Sequence, residues 1–141
     1  MAGFVLWQKW LLIVSVIIAI FGVMLALFSQ TTLFAIFNQQ INPIFWGTIE
    51  LPANVQAFQQ WIYGVLGAVM AGWGIFTTFI VHYPFKRKEK WAWTCLASGV
   101  LTWFVIDTFI SLSFKVYFNA AFNAVLLIGI MLPLVFSRKY F

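Results

Sequence analysis

Four long apolar runs organise the chain, and polar residues gather in the short stretches between them. The runs extend over residues 10–28, 58–81, 91–112 and 117–136. A helix rises about 1.5 Å per residue, so about 20 residues cross the hydrocarbon core of a bilayer. Each run is long enough. The pattern therefore predicts an all-α fold: a four-transmembrane-helix bundle forming a single integral membrane domain over residues 1–141. The first run is longer than the apolar stretch of about 7–15 residues in a cleaved signal peptide, and no small-x-small cleavage site follows it. It is expected to remain as a helix. Pro133 lies near the end of the fourth run. There it is tolerable, because interfacial water can take the carbonyl that it frees.

The connection between the first two runs, Ser29 to Ala57, is long for a bundle and rich in apolar residues. Thr31 or Thr32 is placed to cap a short helix through Phe37. Asn42-Pro43 and Trp46-Gly47 read as turns, and Leu51-Pro52-Ala53-Asn54 reads as the start of the second long helix. This segment is expected to be partly helical and to lie across the outer face of the bundle as a lid, with its aromatics in the interface. A seal and a binding lid are both compatible with it.

Glycines mark the second run. Gly64-x-x-x-Ala68-x-x-x-Gly72 is a ladder of small residues, the pattern that lets helix backbones approach closely in lipid. It is expected to face another helix of the same chain.

Composition narrows the class. Hydrophobic residues make up 64% and charged residues 8%, against about 25% charged in soluble domains, which excludes a soluble fold. The net charge of +5 would suggest nucleic acid in a soluble protein. Here the basic residues sit at the ends of the apolar runs, where they set orientation instead, and no nucleic-acid partner is expected. Lys9, Lys86, Arg87, Lys88, Lys90, Arg138 and Lys139 fall on one side of a four-span chain, and Lys115 alone falls on the other. That bias places the basic side, with both termini, in the cytoplasm. Trp7, Trp10, Trp91, Trp93 and Tyr140 then ring the cytoplasmic rim; Trp46, Trp61, Tyr63 and Tyr117 ring the outer rim. The single cysteine, Cys95, reads as a small buried residue, and the single histidine, His82, as an interfacial one. No Cys/His cluster offers a metal site, and no cofactor is implied.

Asp107 is the informative residue. A carboxyl inside a membrane helix costs about 2.5–3.5 kcal/mol on insertion scales, so it faces the interior and has partners. Counting equally from the turn near Phe114 places Asp107 at the depth of Ala121, between Asn119 and Asn123. Those asparagines are four apart and share a helix face. Ser111 lies one turn from Asp107, and Tyr63, Gln59 and Gln60 enter the second helix at a similar depth. The candidate site is therefore an outward-facing polar pocket of Asp107, Ser111, Asn119, Asn123 and Tyr63. Three roles fit it: a staple between helices, a site for a lipid or small amphipathic ligand, or a proton relay. A lone carboxylate with amides is no acid–base pair, which weighs against an enzyme.

Some longer stretches carry a resemblance. They include Asn42-Pro43-x-Phe45-Trp46, Trp61-x-Tyr63-Gly64-Val65-x-Gly67-Ala68-Val69-Met70-Ala71-Gly72-Trp73-Gly74, and Pro84-Phe85 with its following basic residues. Trp91-Ala92-Trp93, Trp103-Phe104-x-x-Asp107-Thr108 and Phe118-Asn119-x-x-Phe122-Asn123 continue the pattern. Over about two thirds of its length the chain resembles a group of small bacterial four-helix membrane proteins with no assigned activity. The resemblance implies a fold and transfers no function. Small multidrug transporters have this length and helix number, but their working acidic residue lies in the first helix, which has none here. The sequence thus leaves three readings: a ligand-binding membrane protein, a structural or accessory subunit, and an oligomeric transporter. It assigns no oligomeric state.

Overall fold

The computed structural model describes residues 2–141. Helix α1 spans Ala2–Phe28, a 3-10 turn covers Thr32–Phe34, α2 spans Ala35–Trp46 and α3 spans Ala53–Ile80. A π-helical turn, Val81–Phe85, extends α3. Helices α4, Lys90–Ser113, and α5, Tyr117–Ser137, form a hairpin, and a 3-10 turn, Arg138–Tyr140, ends the chain. There is no strand among the described residues. Four helices, all but α2, are long and apolar enough to cross a membrane.

The side-chain distribution suits lipid. Buried positions hold Gln8, Ser15, Thr77, Ser111, Asn123 and Ser137, while Ile13, Ile17, Phe76, Val105 and Phe109 are exposed. In a membrane, polar groups go inward to find partners and apolar side chains face hydrocarbon. Cys95, expected to be buried, is on the exposed surface of α4. In lipid a small thiol suits an outward face as well as an inward one, so its apolar setting in the sequence did not decide its side.

Helix α1 is the hub, with α3 on one side and α5 on another, while α4 packs mainly on α5. The α1–α3 seam is backbone against backbone. A methyl group at Gly67 would stand 2.5 Å from the Ala26 nitrogen and 2.5 Å from the Gly22 carbonyl oxygen. Gly74 meets Ala19 as closely, and Gly22 meets Ala71. The expected ladder is not the one used. Ala68 is exposed, Gly64 reaches only the Ala26 carbonyl at 3.9 Å, and a methyl at Gly72 would meet nothing within 4 Å. The packing face is Gly67, Ala71 and Gly74, rotated from the predicted one.

At the basic end, Phe4 stacks on Phe85, and Phe85 meets Phe141 with ring centroids 4.9 Å apart. The Lys88 ammonium lies 5.3 Å from the Phe4 ring centroid, drawing the basic turn onto this plug. Helix α1 already packs before Trp10, because the Phe4 ring belongs to the core.

At the other end lies the lid. Thr31 stands at the N-cap position of the 3-10 turn, but its side chain makes no cap there; its hydroxyl donates to the Phe28 carbonyl at 2.7 Å and closes α1 instead. Helix α2 runs straight through Asn42-Pro43, which was expected to turn. Pro43 deprives the Gln39 carbonyl of a donor, and Gln39 is exposed, where water can replace it. The helix stops at Gly47, whose φ of 68° gives the left-handed cap. Phe34 and Phe37 turn inward onto Phe21, and Phe37 also meets Phe118 and Phe122. These rings fasten the lid to α1 and α5. Pro52 precedes α3, as the sequence suggested.

Candidate functional site

The α4–α5 turn is tight because α4 ends in a Schellman motif. Lys115 takes φ 63°, its N–H donates to the Leu112 carbonyl at 3.0 Å, and the Val116 N–H donates to the Ser111 carbonyl at 2.8 Å. This closure sets α5 directly alongside α4 and fixes the depth of facing residues.

Asp107 and the two asparagines meet as the depth count predicts. Asn119 Nδ2 donates to Asp107 Oδ1 at 2.7 Å, and Asn123 Nδ2 donates to the same oxygen at 2.8 Å. The second proton of each amide is also placed. Asn119 reaches Ser111 Oγ at 2.8 Å and Asn123 reaches Thr108 Oγ1 at 3.3 Å. Ser111 Oγ lies 2.7 Å from the Asp107 carbonyl and 3.1 Å from Oδ1. A hydroxyl has one proton, and the shorter contact with the carbonyl takes it. Two neutral amides therefore hold Oδ1, and among the described residues no hydrogen bond reaches Oδ2. Asn123 is buried, whereas Asp107 and Asn119 are half-buried.

Tyr63 is not part of this cluster. It is buried between Leu25 and Phe34, with Phe21 and Met24 against them. Its hydroxyl has no partner among the described residues. A count of depth along the helix carries no angle about its axis, and that angle turns Tyr63 toward Leu25 and Phe34. Gln59 likewise points away, donating to Asn42 Oδ1 beneath the lid, and Gln60 is exposed. Thr108, which completes the amide network, was not anticipated. Its position next to Asp107 and three residues before Ser111, one helical turn away, was the available signal.

His82 is exposed and packs edge-on against Tyr83, and no group of three metal-ligating side chains occurs among the described residues. Chemically, the Asp107 cluster can accept hydrogen bonds or a positive charge at one open carboxylate oxygen. Comparison with known families, curated proteins and solved structures finds no match to this chain.

Proposed function

We propose that this protein binds a lipid or small amphipathic molecule at the lid end of the bundle, with Asp107 taking the polar end of the ligand. The observation that carries this reading is the asymmetry of the carboxyl. Oδ1 is filled by Asn119 and Asn123, while Oδ2 on the same half-buried side chain has no donor among the described residues. The Asp107 carboxyl is held only by neutral donors and has no cation beside it, which favours a ligand carrying an ammonium group. The charge bias of the loops supports an orientation with the basic end and both termini in the cytoplasm and the lid outside.

Phosphatidylethanolamine offers a suitable probe. In native mass spectrometry from a mild detergent, the wild-type chain is expected to retain it in preference to phosphatidylglycerol. Asp107→Asn keeps an acceptor for both asparagines and removes the charge, so it should lose that preference. Equal retention by the variant would refute this reading. Orientation is tested separately in a Cys95→Ser background: Lys86→Cys should resist an impermeant thiol reagent applied to intact cells.

A second reading has its own support. Every donor to Asp107 comes from α4 or α5, so the cluster also sews that hairpin together. A structural or accessory subunit would need no more than this.

A further inference from the structure

A separate cavity of about 280 Å³ opens between the lid and the start of α3. Its walls are unusual for a membrane bundle, because five carboxamides line it: Gln30, Asn38, Asn42, Gln56 and Gln59. Glu50 adds the one charged group, and Ile49 and Leu51 add the apolar surface. Among the described residues no Lys, Arg or aromatic side chain lines it.

The amides are built into the fold. Gln59 and Asn42 are each at least nine-tenths buried, at 5% and 3% exposure. Gln59 Nε2 donates to Asn42 Oδ1, and Asn42 Nδ2 donates to the Ile49 carbonyl at 2.9 Å. This relay runs from α3 through α2 to the loop after Gly47. Across the cavity Gln56 Nε2 donates to Gln30 Oε1 at 3.2 Å. One buried group is left over: Asn38 Oδ1 has no hydrogen-bond partner among the described residues. A buried acceptor without a donor costs about 1–3 kcal/mol, a cost that a hydroxyl in the cavity relieves once the Asn38 amide turns toward it.

We infer that this cavity is a binding site for an uncharged polyhydroxyl group, a sugar or polyol ring, seated against Asn38 and Gln59 beneath the lid. Each hydroxyl both donates and accepts, as each carboxamide does, so neighbouring hydroxyls can pair with successive amides. An anion would face Glu50 with no basic residue to hold it. An ammonium group, which only donates, would meet Glu50 and the amide oxygens but no amide N–H, whereas a hydroxyl meets both kinds of amide atom. The volume falls just below the range of about 300–1,000 Å³ for drug-sized ligands, which suits one ring rather than a whole amphiphile. The ring can come from a free sugar or from the headgroup of a glycolipid. This site shares no residue with the Asp107 cluster and does not depend on the reading given for it.

The test uses the full chain in phosphatidylcholine nanodiscs, because maltoside and glucoside detergents carry the proposed ligand chemistry themselves. Binding is measured by saturation-transfer NMR for free glucose and by native mass spectrometry for glucosyl-diacylglycerol. Binding of either supports the site; glucose alone assigns a soluble ligand, and the glycolipid alone assigns a headgroup. Asn38→Ala should weaken that binding at least about tenfold, the value of one hydrogen bond to a buried acceptor. Gln59→Leu should abolish it, and Asp107→Asn should leave it unchanged. Glu50→Gln should change sugar affinity less than about threefold, since a carboxamide replaces the carboxylate among amides. No binding of either probe overturns the inference, as does binding indifferent to Asn38→Ala and Gln59→Leu. Binding of choline or ethanolamine instead, lost in Glu50→Gln, also overturns it by assigning the cavity to a cation.

Discussion

Trp10 donates its indole N–H to the Gly129 carbonyl at 2.9 Å, and Gly129 lies four residues before Pro133. In an unbroken helix the residue at 133 would supply that hydrogen bond; proline has no N–H to give. A tryptophan of α1 therefore fills the gap that a proline opens in α5, and it ties the hub helix to the hairpin. The sequence alone suggested interfacial water for this carbonyl and an anchoring role for Trp10. The pairing spans most of the chain, so no local pattern announced it. Trp93 acts similarly, donating to the Leu134 carbonyl in the last turn of α5 at 2.8 Å.

This pairing is testable as a double-mutant cycle. Trp10→Phe should destabilise the bundle by about 1 kcal/mol, keeping most of the ring packing but orphaning the carbonyl. Pro133→Ala restores a helix N–H for Gly129, so Trp10→Phe should cost less in that background. Thermal unfolding of the four proteins in detergent measures the coupling. Additive effects would show that the Gly129 carbonyl is satisfied in some other way.

The glycines of α3 separate two faces of one helix. Gly67→Ala places a methyl 2.5 Å from the α1 backbone, where nothing flexible can give way, and should destabilise by several kcal/mol or prevent folding. Gly72→Ala meets nothing within 4 Å and replaces a poor helix former with a good one, so it should be neutral or stabilising by up to about 1 kcal/mol. Yield and melting temperature of the purified variants compare them directly. Equal loss in both would mean that the Ala68–Gly72 face is itself packed in the membrane.

What the sequence disclosed, and what it withheld, follows from the range of each signal. Four spans were legible because bilayer thickness imposes a length on each. Asp107, Asn119 and Asn123 were legible because a tight turn converts sequence distance into depth. The ladder was misassigned because Gly64, Ala68 and Gly72 have the same kind of spacing as the real face at Gly67, Ala71 and Gly74. Ser15, Ala19, Gly22 and Ala26 on α1 were the missing half of that argument, since they form one small-residue face of the partner. The amide cavity was illegible for a different reason. Gln30, Asn38, Glu50 and Gln59 lie on separate elements, and only the fold of the lid over α3 gathers them.

Both hairpin turns use a lysine where glycine is the usual choice. Lys88 has φ 61° and Lys115 φ 63°, and each closes a Schellman motif. A side chain in the left-handed region costs roughly 1–2 kcal/mol. Lys115→Gly should therefore raise stability by about 1 kcal/mol. Lys88→Gly should gain less, because the Lys88 ammonium also sits over Phe4 and Tyr140. Chemical denaturation of the two variants against the wild type gives the comparison, and a larger gain at Lys88 would discount those cation–π contacts.

Substitutions around Asp107 divide the staple from the binding site. Asp107→Asn retains an acceptor for the Asn119 and Asn123 amides, so stability should stay within about 1 kcal/mol of the wild type. Asp107→Leu leaves two amides without their acceptor and should destabilise by about 1–3 kcal/mol. The asparagines should differ from each other. Asn123 is 2% exposed, and its loss removes two hydrogen bonds from a packed interior. Asn119 is half-buried, so water or headgroups can replace part of what it gives. Asn123→Ala should therefore cost more than Asn119→Ala when both are measured by unfolding in the same detergent. These changes read only the staple. Ligand retention reads the free Oδ2, and Asp107→Asn is the variant in which the two separate: near-normal stability with lost preference for an ammonium headgroup supports binding. Near-normal stability with unchanged lipid retention leaves Asp107 as a fastening between α4 and α5. A fall in stability as large as that of Asp107→Leu would show instead that the negative charge itself holds the two amides in place.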